Sequence, residues 1–269
     1  MTTSLIISTY NWPEALRLCL LSVINQSVLP DEIIIADDGS APSTKTIVDD
    51  IRSSKDIRIK HIWHRDNGFK LAEIRNKAIA ESGGEYIIQI DGDVILHKDF
   101  IKDHISFAKK KSFIKGRRMM IGRSKSEQLL RKKSIAVSFL STGVKMREHG
   151  FRIPFFHKIF KAKEESSPDG VMGSNMAFWK DDFIKVNGYN NRLKGWGAED
   201  KELAQRFVNL GLVKRKMKYG AIQYHIYHPE SDKSKHDEQM SEIENLKNSG
   251  KTYCENGLNE IQKDYLIYD

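Results

Sequence analysis

Glu85-Tyr86-Ile87-Ile88-Gln89-Ile90-Asp91-Gly92-Asp93 is the stretch that decides the fold. The run Tyr86–Ile90 is short and mostly large and apolar, which suits a strand buried on both faces better than a helix. It stops abruptly on two carboxylates around a glycine. Just upstream, Gly83-Gly84 ends a helix expected over about residues 70–82. Further toward the N-terminus the same alternation repeats. A strand is expected at 57–63, a helix at 43–53 and a strand at Glu32-Ile33-Ile34-Ile35-Ala36, which stops on Asp37-Asp38-Gly39-Ser40. The first strand, Leu5-Ile6-Ile7, stops on Ser8-Thr9-Tyr10-Asn11. Asn11 is expected to cap the next helix, which Pro13 opens and which runs to about Asn25.

Strands alternating with helices make βαβ units and a parallel sheet. In such sheets ligands bind beyond the carboxyl ends of the strands. Here those ends carry Ser8–Asn11, Asp37–Ser40 and Asp91–Asp93, so three polar clusters are expected to share one crevice. The expected class is α/β: a Rossmann-like half with a mostly parallel sheet over 1–100, fused to a second half over 101–230. Together these make one domain, 1–230, and the charged segment 231–269 is expected to form a helical appendage. The second half is less regular. It holds a Lys- and Arg-rich segment at 109–133, a polar loop at 161–169, a Gly- and aromatic-rich stretch at 173–200 and a helix at about 200–210.

The 269 residues are 39% hydrophobic and 30% charged, a balance that excludes a disordered chain. The net charge of +8 points to nucleic acid, an anionic membrane surface or phosphate-rich ligands as partners. No recognised nucleic-acid module or stacking platform is present, so no nucleic-acid partner is expected. Two unclustered cysteines, Cys19 and Cys254, make neither a disulfide framework nor a metal spacing, and a reducing cytosol is the expected setting. No segment reaches the ~18 apolar residues of a membrane span. The N-terminal stretch has no basic lead and is interrupted by Asn11, Trp12, Pro13, Glu14 and Arg17, so it does not read as a signal peptide.

Several strings carry chemistry. Asp91-Gly92-Asp93 places two carboxylates where they face one cation, and a divalent metal bridging a diphosphate takes only one or two protein carboxylates. Taken alone, the string is also an ordinary turn. Asp38 is the expected acceptor for a base N–H, because it lies nearer the crevice than Asp37. Lys70 and Arg75 suit phosphate neutralisation. In Gly195-Trp196-Gly197-Ala198-Glu199-Asp200, a Trp between glycines suits stacking on a sugar, and the two acids suit hydroxyl binding and proton removal. His225-Ile226-Tyr227-His228 adds two imidazoles that, with oxygen ligands, favour Mn2+ over Ca2+.

Together these strings resemble the inverting, GT-A-fold glycosyltransferases of the family 2 type. The matching residues are Ile6–Asn11, Asp37–Ser40, Arg75-Asn76-Lys77-Ala78, Asp91–Asp93, Gly173-Ser174-Asn175-Met176-Ala177-Phe178 and Gly195–Asp200. The last two resemble the C-terminal module of galactosyltransferases and of bacterial chondroitin-type polymerases. The resemblance covers about 1–100 and 170–230. No Gln-X-X-Arg-Trp string exists, which sets the chain apart from the processive membrane synthases, and there is one catalytic module rather than two.

The resemblance implies a role for each matching residue. Ser8, Tyr10 and Asp38 would hold the nucleobase, usually uracil. Arg75, with Lys70 beside it, would sit near the base or diphosphate. Asp91 would contact ribose, Asp93 the metal. His228 is the expected second ligand, with His225 as the alternative. Trp196 and Glu199 would bind sugar, and Asp200 would be the catalytic base. The implied reaction is inverting transfer from a UDP-sugar to a hydroxyl of a glycan or lipid-linked glycan, with Mn2+ or Mg2+ as cofactor. Bacterial surface polysaccharide synthesis is the expected setting, with the chain cytoplasmic or peripheral on the inner membrane face through 109–133. The rival readings are a sugar nucleotidyltransferase and a non-catalytic nucleotide-sugar-binding protein. The first would want a Gly-rich phosphate loop where this chain has Ser8–Pro13.

Overall fold

The computed structural model describes residues 1–54, 57–153, 163–193, 198–229 and 236–269. Its first half is the alternation read from the sequence: β1 (Thr3–Thr9), α1 (Pro13–Ile24), β2 (Glu32–Asp37), α2 (Pro42–Ser54), β3 (Ile59–His64), α3 (Leu71–Ala80) and β4 (Tyr86–Asp91). The order β3-β2-β1-β4 is parallel throughout. Successive side chains of a strand point to opposite faces, and the apolar runs therefore feed two cores. Leu5, Ile7, Ile33 and Ile35 pack with Leu16, Leu20 and Val23 of α1 on one face. Ile6 and Ile34 pack with Ile74, Ala78 and Ile79 of α3 on the other. This three-layer arrangement is the α/β Rossmann-like half expected.

Beyond β4 the chain forms β5 (Val94–Leu96), α4 (Phe100–Phe107), β6 (Ser112–Lys115), β7 (Met119–Ile121), α5 (Arg123–Lys132), β8 (Val144–Lys145) and β9 (Glu164–Glu165). There follow β10 (Asn175–Trp179), α6 (Lys180–Lys185), α7 (Glu199–Asn209), β11 (Val213–Lys216), β12 (Gln223–His225), α8 (His236–Ser249) and β13 (Tyr265–Tyr268). The main sheet has the order β13-β3-β2-β1-β4-β10-β6-β11-β9, and a second sheet has the order β5-β12-β7-β8. Because β10 runs antiparallel to both β4 and β6, the main sheet is mixed in its second half. The same reversal points β6 along β4, so the residues after β6 return to the edge that carries Asp91.

Three local expectations change. Asn11 does not cap α1: Trp12 holds the N-cap position without a side-chain bond. Asn11 instead adopts a positive φ of 45° and accepts the N–H of Ala41 just before α2. Segment 109–133 is not a continuous basic surface, since Phe113, Ile114, Met119 and Ile121 within it are buried. Segment 231–269 is not purely helical either. Its end is β13, which pairs antiparallel with β3 at the edge of the main sheet. Cys19 and Cys254 are buried and unpaired, and burial pushes both thiols up. No helix among the described residues is long and apolar enough to cross a membrane.

Candidate functional site

Strand register builds the crevice. Ser8 of β1 lies opposite Asp91 of β4, and its neighbour Thr9 lies opposite Asp37 of β2. The three polar strand ends therefore form one row, as the parallel order requires. Beside it lies a cavity of about 410 Å³ lined by Ser8, Tyr10, Asp38, Asp91, Asp93, Arg118, His225 and His228, among others. That volume is within the range of nucleotide-sized ligand sites.

Arg75 organises the floor. It is fully buried on α3, and its fork is used on every side. Nε donates to Ser8 Oγ at 2.9 Å, one terminal nitrogen to Asp91 Oδ1 at 3.0 Å, and the other to Asp200 Oδ1 at 3.0 Å, with Glu199 Oε1 at 3.5 Å. Burial works against its charge, but the carboxylates of Asp200, Asp91 and Glu199 outweigh that and hold the guanidinium charged. Arg75 is thus a buried strut between the two halves of the site and does not line the cavity. Lys70 does not line it either. Its ammonium pairs with Glu73 at 3.1 Å, while its backbone N–H goes to Asp38 Oδ2.

Asp200 opens α7, where the helix N-terminus favours negative charge. Its Oδ1 also takes the Tyr189 hydroxyl at 3.2 Å, and its Oδ2 takes the Gly173 N–H at 2.6 Å. A carboxylate offers about four lone-pair sites; three donors hold this one in place and leave it acceptor capacity. The one hydroxyl proton of Tyr189 is shared between Asp200 and Gln89 Oε1, the latter at 2.8 Å, and burial pushes its phenol far up. Glu199, its neighbour, is buried at the same helix start. Trp196 lies outside the described residues.

Asp93 stands at the other end of the cavity. His225 Nε2 lies 3.4 Å and His228 Nε2 3.2 Å from its Oδ2. One donor atom from each of the three residues fits within 4.8 Å of the others, a cluster that could hold a divalent cation. The chemistry of the set fits: one carboxylate and two imidazoles. Asp93 Oδ1 and His225 Nδ1 are buried with no hydrogen-bond partner among the described residues, so ligand capacity remains. Burial pushes His225 toward its neutral, ligating form, whereas the hydrogen bond to Asp93 raises His228. Burial and the nearby charge of Asp93 push Asp91 up, with Arg75 opposing. Both histidines therefore join Asp93; the choice of one over the other made from the sequence was narrower than the geometry.

Ser8, Asp38, Asp91, Asp93, His225 and His228 are brought together at the cavity, and Tyr10 reaches its rim, 53% exposed and bonded to Asp66 at 3.1 Å. Sequence reasoning missed Arg118 and Tyr189, and gave Gly173, part of a matching string, no role of its own. Arg118 lines the cavity, its charge acts on Asp91 and Asp93, and it makes no ion pair among the described residues. Its signal was hidden because it lies in the short link between β6 and β7, outside any periodic element.

A family model described as glycosyl transferase family 2 matches residues 4–186, well over half of the chain. The chain belongs to glycosyl transferase family 2. A second model, described as the N-terminal domain of galactosyltransferase, matches residues 154–229 of this family 2 chain. It is 26% identical over 237 residues to chondroitin synthase of Escherichia coli, covering 82% of this chain and 34% of that protein, so it spans about a third of that relative's length. Its fold is similar to that of S. aureus TarS 1-349 in complex with UDP-GlcNAc, with a TM-score of 0.59 at 18% identity, over 90% of this chain and 65% of that one. It is also similar to the mannosyltransferase PcManGT from Pyrobaculum calidifontis in complex with GDP-Man and Mn2+, with a TM-score of 0.55 at 15% identity, over 83% and 56%. At these identities the two structures speak to the fold.

Proposed function

We propose that this chain transfers a sugar from a UDP-sugar to a hydroxyl of a glycan or lipid-linked glycan, with inversion at the anomeric carbon. One observation carries the proposal. A single guanidinium, Arg75, ties Asp91 at the donor cavity to Asp200 at the start of α7, so a nucleotide-binding edge and a held carboxylate adjoin. Family membership and the likeness to a chondroitin synthase support the same chemistry. Ser8, Tyr10 and Asp38, which line the cavity, would hold the nucleobase, and Asp91 would contact the ribose.

Asp200 would take the proton of the acceptor hydroxyl as its oxygen attacks the anomeric carbon from the side opposite the leaving nucleoside diphosphate. Arg118 would stabilise the charge that grows on the diphosphate. Asp93, His225 and His228 would hold the cation, for which Mn2+ is favoured by the mixed oxygen and nitrogen set and Mg2+ is the alternative. When bound, that cation supplies Lewis-acid stabilisation of the leaving diphosphate. Trp196 and Glu199 remain the expected contacts to sugar. The chain would work in bacterial surface polysaccharide synthesis on the cytoplasmic side, with the exposed cations Arg131, Lys132 and Lys133 at the end of 109–133 meeting an anionic membrane.

Donor hydrolysis and transfer from a UDP-sugar panel, measured with Mn2+ and with EDTA, test the proposal together with Asp200→Asn. General-base loss is expected to lower kcat by about 10²–10⁴-fold while UDP affinity stays near wild type. Equal, slight losses in both would remove Asp200 from the mechanism. Activity that survives EDTA would remove the metal.

A further inference from the structure

A chain of buried polar groups runs from Asp38 away from the cavity. Asp38 is only 5% exposed, and its two oxygens have different partners. Oδ2 accepts the Lys70 backbone N–H at 2.9 Å, and Oδ1 lies 2.7 Å from His64 Nε2. The other ring nitrogen of His64, Nδ1, lies 3.2 Å from Lys77 Nζ. An ammonium only donates, so His64 Nδ1 must accept. The ring proton then sits on Nε2 and points at Asp38.

Lys77 is fully buried on α3, beside Asn76 and two residues from Arg75. Its charge is met by Glu73 at 2.8 Å and by Asp264 at 2.6 Å, and Tyr265 lies under it at 5.6 Å from the ring centroid. Asp264 immediately precedes β13, and β13 pairs Tyr265 with His64. The strand that supplies the counter-ion is therefore laddered to the histidine that the lysine orients. Nothing in the transfer reaction itself needs a lysine here.

We propose that Lys77 and Asp264 are positioning residues that set nucleobase specificity, acting through the tautomer of His64 on Asp38. The proposal rests on the reading of Asp38 as the base contact. With Nε2–H donating to Oδ1, the Asp38 carboxylate presents acceptors and no donor to the cavity. Such a group pairs with the N3–H of uracil. Cytosine has an unprotonated acceptor at N3, and two acceptors repel. Were His64 released to place its proton on Nδ1, its Nε2 lone pair would face Asp38 Oδ1, and the two acceptors would repel and turn the carboxylate away from the uracil N3–H. The relay thus biases the site toward uridine nucleotides by holding the carboxylate where it accepts from N3–H.

The test measures UDP and CDP affinities by calorimetry in the full chain with Mn2+, for wild type, Lys77→Met, Asp264→Asn, Lys77→Arg and Asp38→Asn. Lys77→Met is expected to weaken UDP by about tenfold and to narrow the preference for UDP over CDP by about the same factor. The loss should appear in the donor KM more than in kcat. Asp264→Asn, at a half-exposed side chain, should shift the same ratio in the same direction more weakly, and covers the case in which Lys77→Met fails to fold. Lys77→Arg, which keeps a donor, should restore part of the ratio. Parallel losses of UDP and CDP affinity, with the ratio unchanged in both variants, would overturn the relay. A different result, UDP affinity unchanged in Asp38→Asn, would instead overturn the reading of Asp38.

Discussion

Gly173 shows how a single backbone position conditions the chemistry. A Cβ built there would lie 2.4 Å and 2.5 Å from the two carboxylate oxygens of Asp200, far inside contact distance, and the glycine N–H is one of the donors that hold that carboxylate. Alanine at this position must push Asp200 aside. Misplacing a reacting group by about 1 Å costs on the order of 10²-fold in rate. Gly173→Ala should therefore lower kcat by about that factor while UDP affinity changes little, and some stability is lost as Asp200 moves off Arg75. Steady-state kinetics beside UDP calorimetry checks this, and an unchanged kcat would mean that Asp200 is not the reacting base. Arg75 makes the complementary case. Its charge is compensated only by the exact company of Asp91, Asp200 and Glu199, since a buried ion left without its partners is strongly destabilising. The sequence located Arg75 but suggested a phosphate ligand, because a string of letters does not say whether an arginine faces the ligand or the groups that bind it.

At the scale of elements, β13 is the piece whose place depends most on charge. It lies at a sheet edge, with Leu266 and Ile267 49% and 42% exposed, and so contributes little apolar burial of its own. Lys77 holds it through Asp264, whose carboxyl is kept below its usual range chiefly by that hydrogen bond. Burial raises Glu73, but its bonds to Lys77 and Lys70 prevail and leave it lowered too. A carboxyl with a lowered folded-state pKa contributes stability that is fully present above its unfolded value, about 4 for these groups, and is lost as pH falls through the folded value. The 265–268 ladder should therefore loosen in acid below about pH 4, before the central strands do. Hydrogen exchange, corrected for its intrinsic pH dependence, would detect this. Asp264→Asn should loosen the ladder already at neutral pH and flatten the acid step; equal protection in both proteins would show that the ion pair does not hold the strand.

At the scale of the whole molecule, the positive charge gathers at two places. Arg118 and Arg75 serve the cavity and its floor. Of the clusters at the ends of 109–133, Lys109 already pairs with Glu164 at 2.8 Å and Lys110 stacks on Trp179 at 3.4 Å from the ring centroid. Arg131, Lys132 and Lys133 stand exposed at the end of α5. If the chain docks on an anionic membrane, this end is where contact falls, at about 1 kcal/mol per cation. The double variant Arg131→Gln with Lys132→Gln should then weaken sedimentation with phosphatidylglycerol vesicles by about an order of magnitude or more at low salt. Binding of wild type that is absent, or insensitive to salt, would remove the membrane from the account.

The first half was legible because its physics is local. Buried parallel strands advertise themselves as short apolar runs, glycine and polar residues end them, and the rule that ligands gather at carboxyl edges then assembles Ser8, Asp38 and Asp91 without further information. Asp93, His225 and His228 were recognisable by residue type, and Asp200 by the string around it. Only tertiary structure decided that both histidines meet one carboxylate, because β12 reaches β5 by pairing across more than a hundred residues. It also decided that Arg118 lines the cavity, from a link between two short strands that shows no period. Lys77, finally, reads as an ordinary helix lysine until β13 returns from the far end of the chain to neutralise it. Periodicity records which face of an element is buried; it does not record which distant group will share that burial, and the pairing of buried charges is settled there.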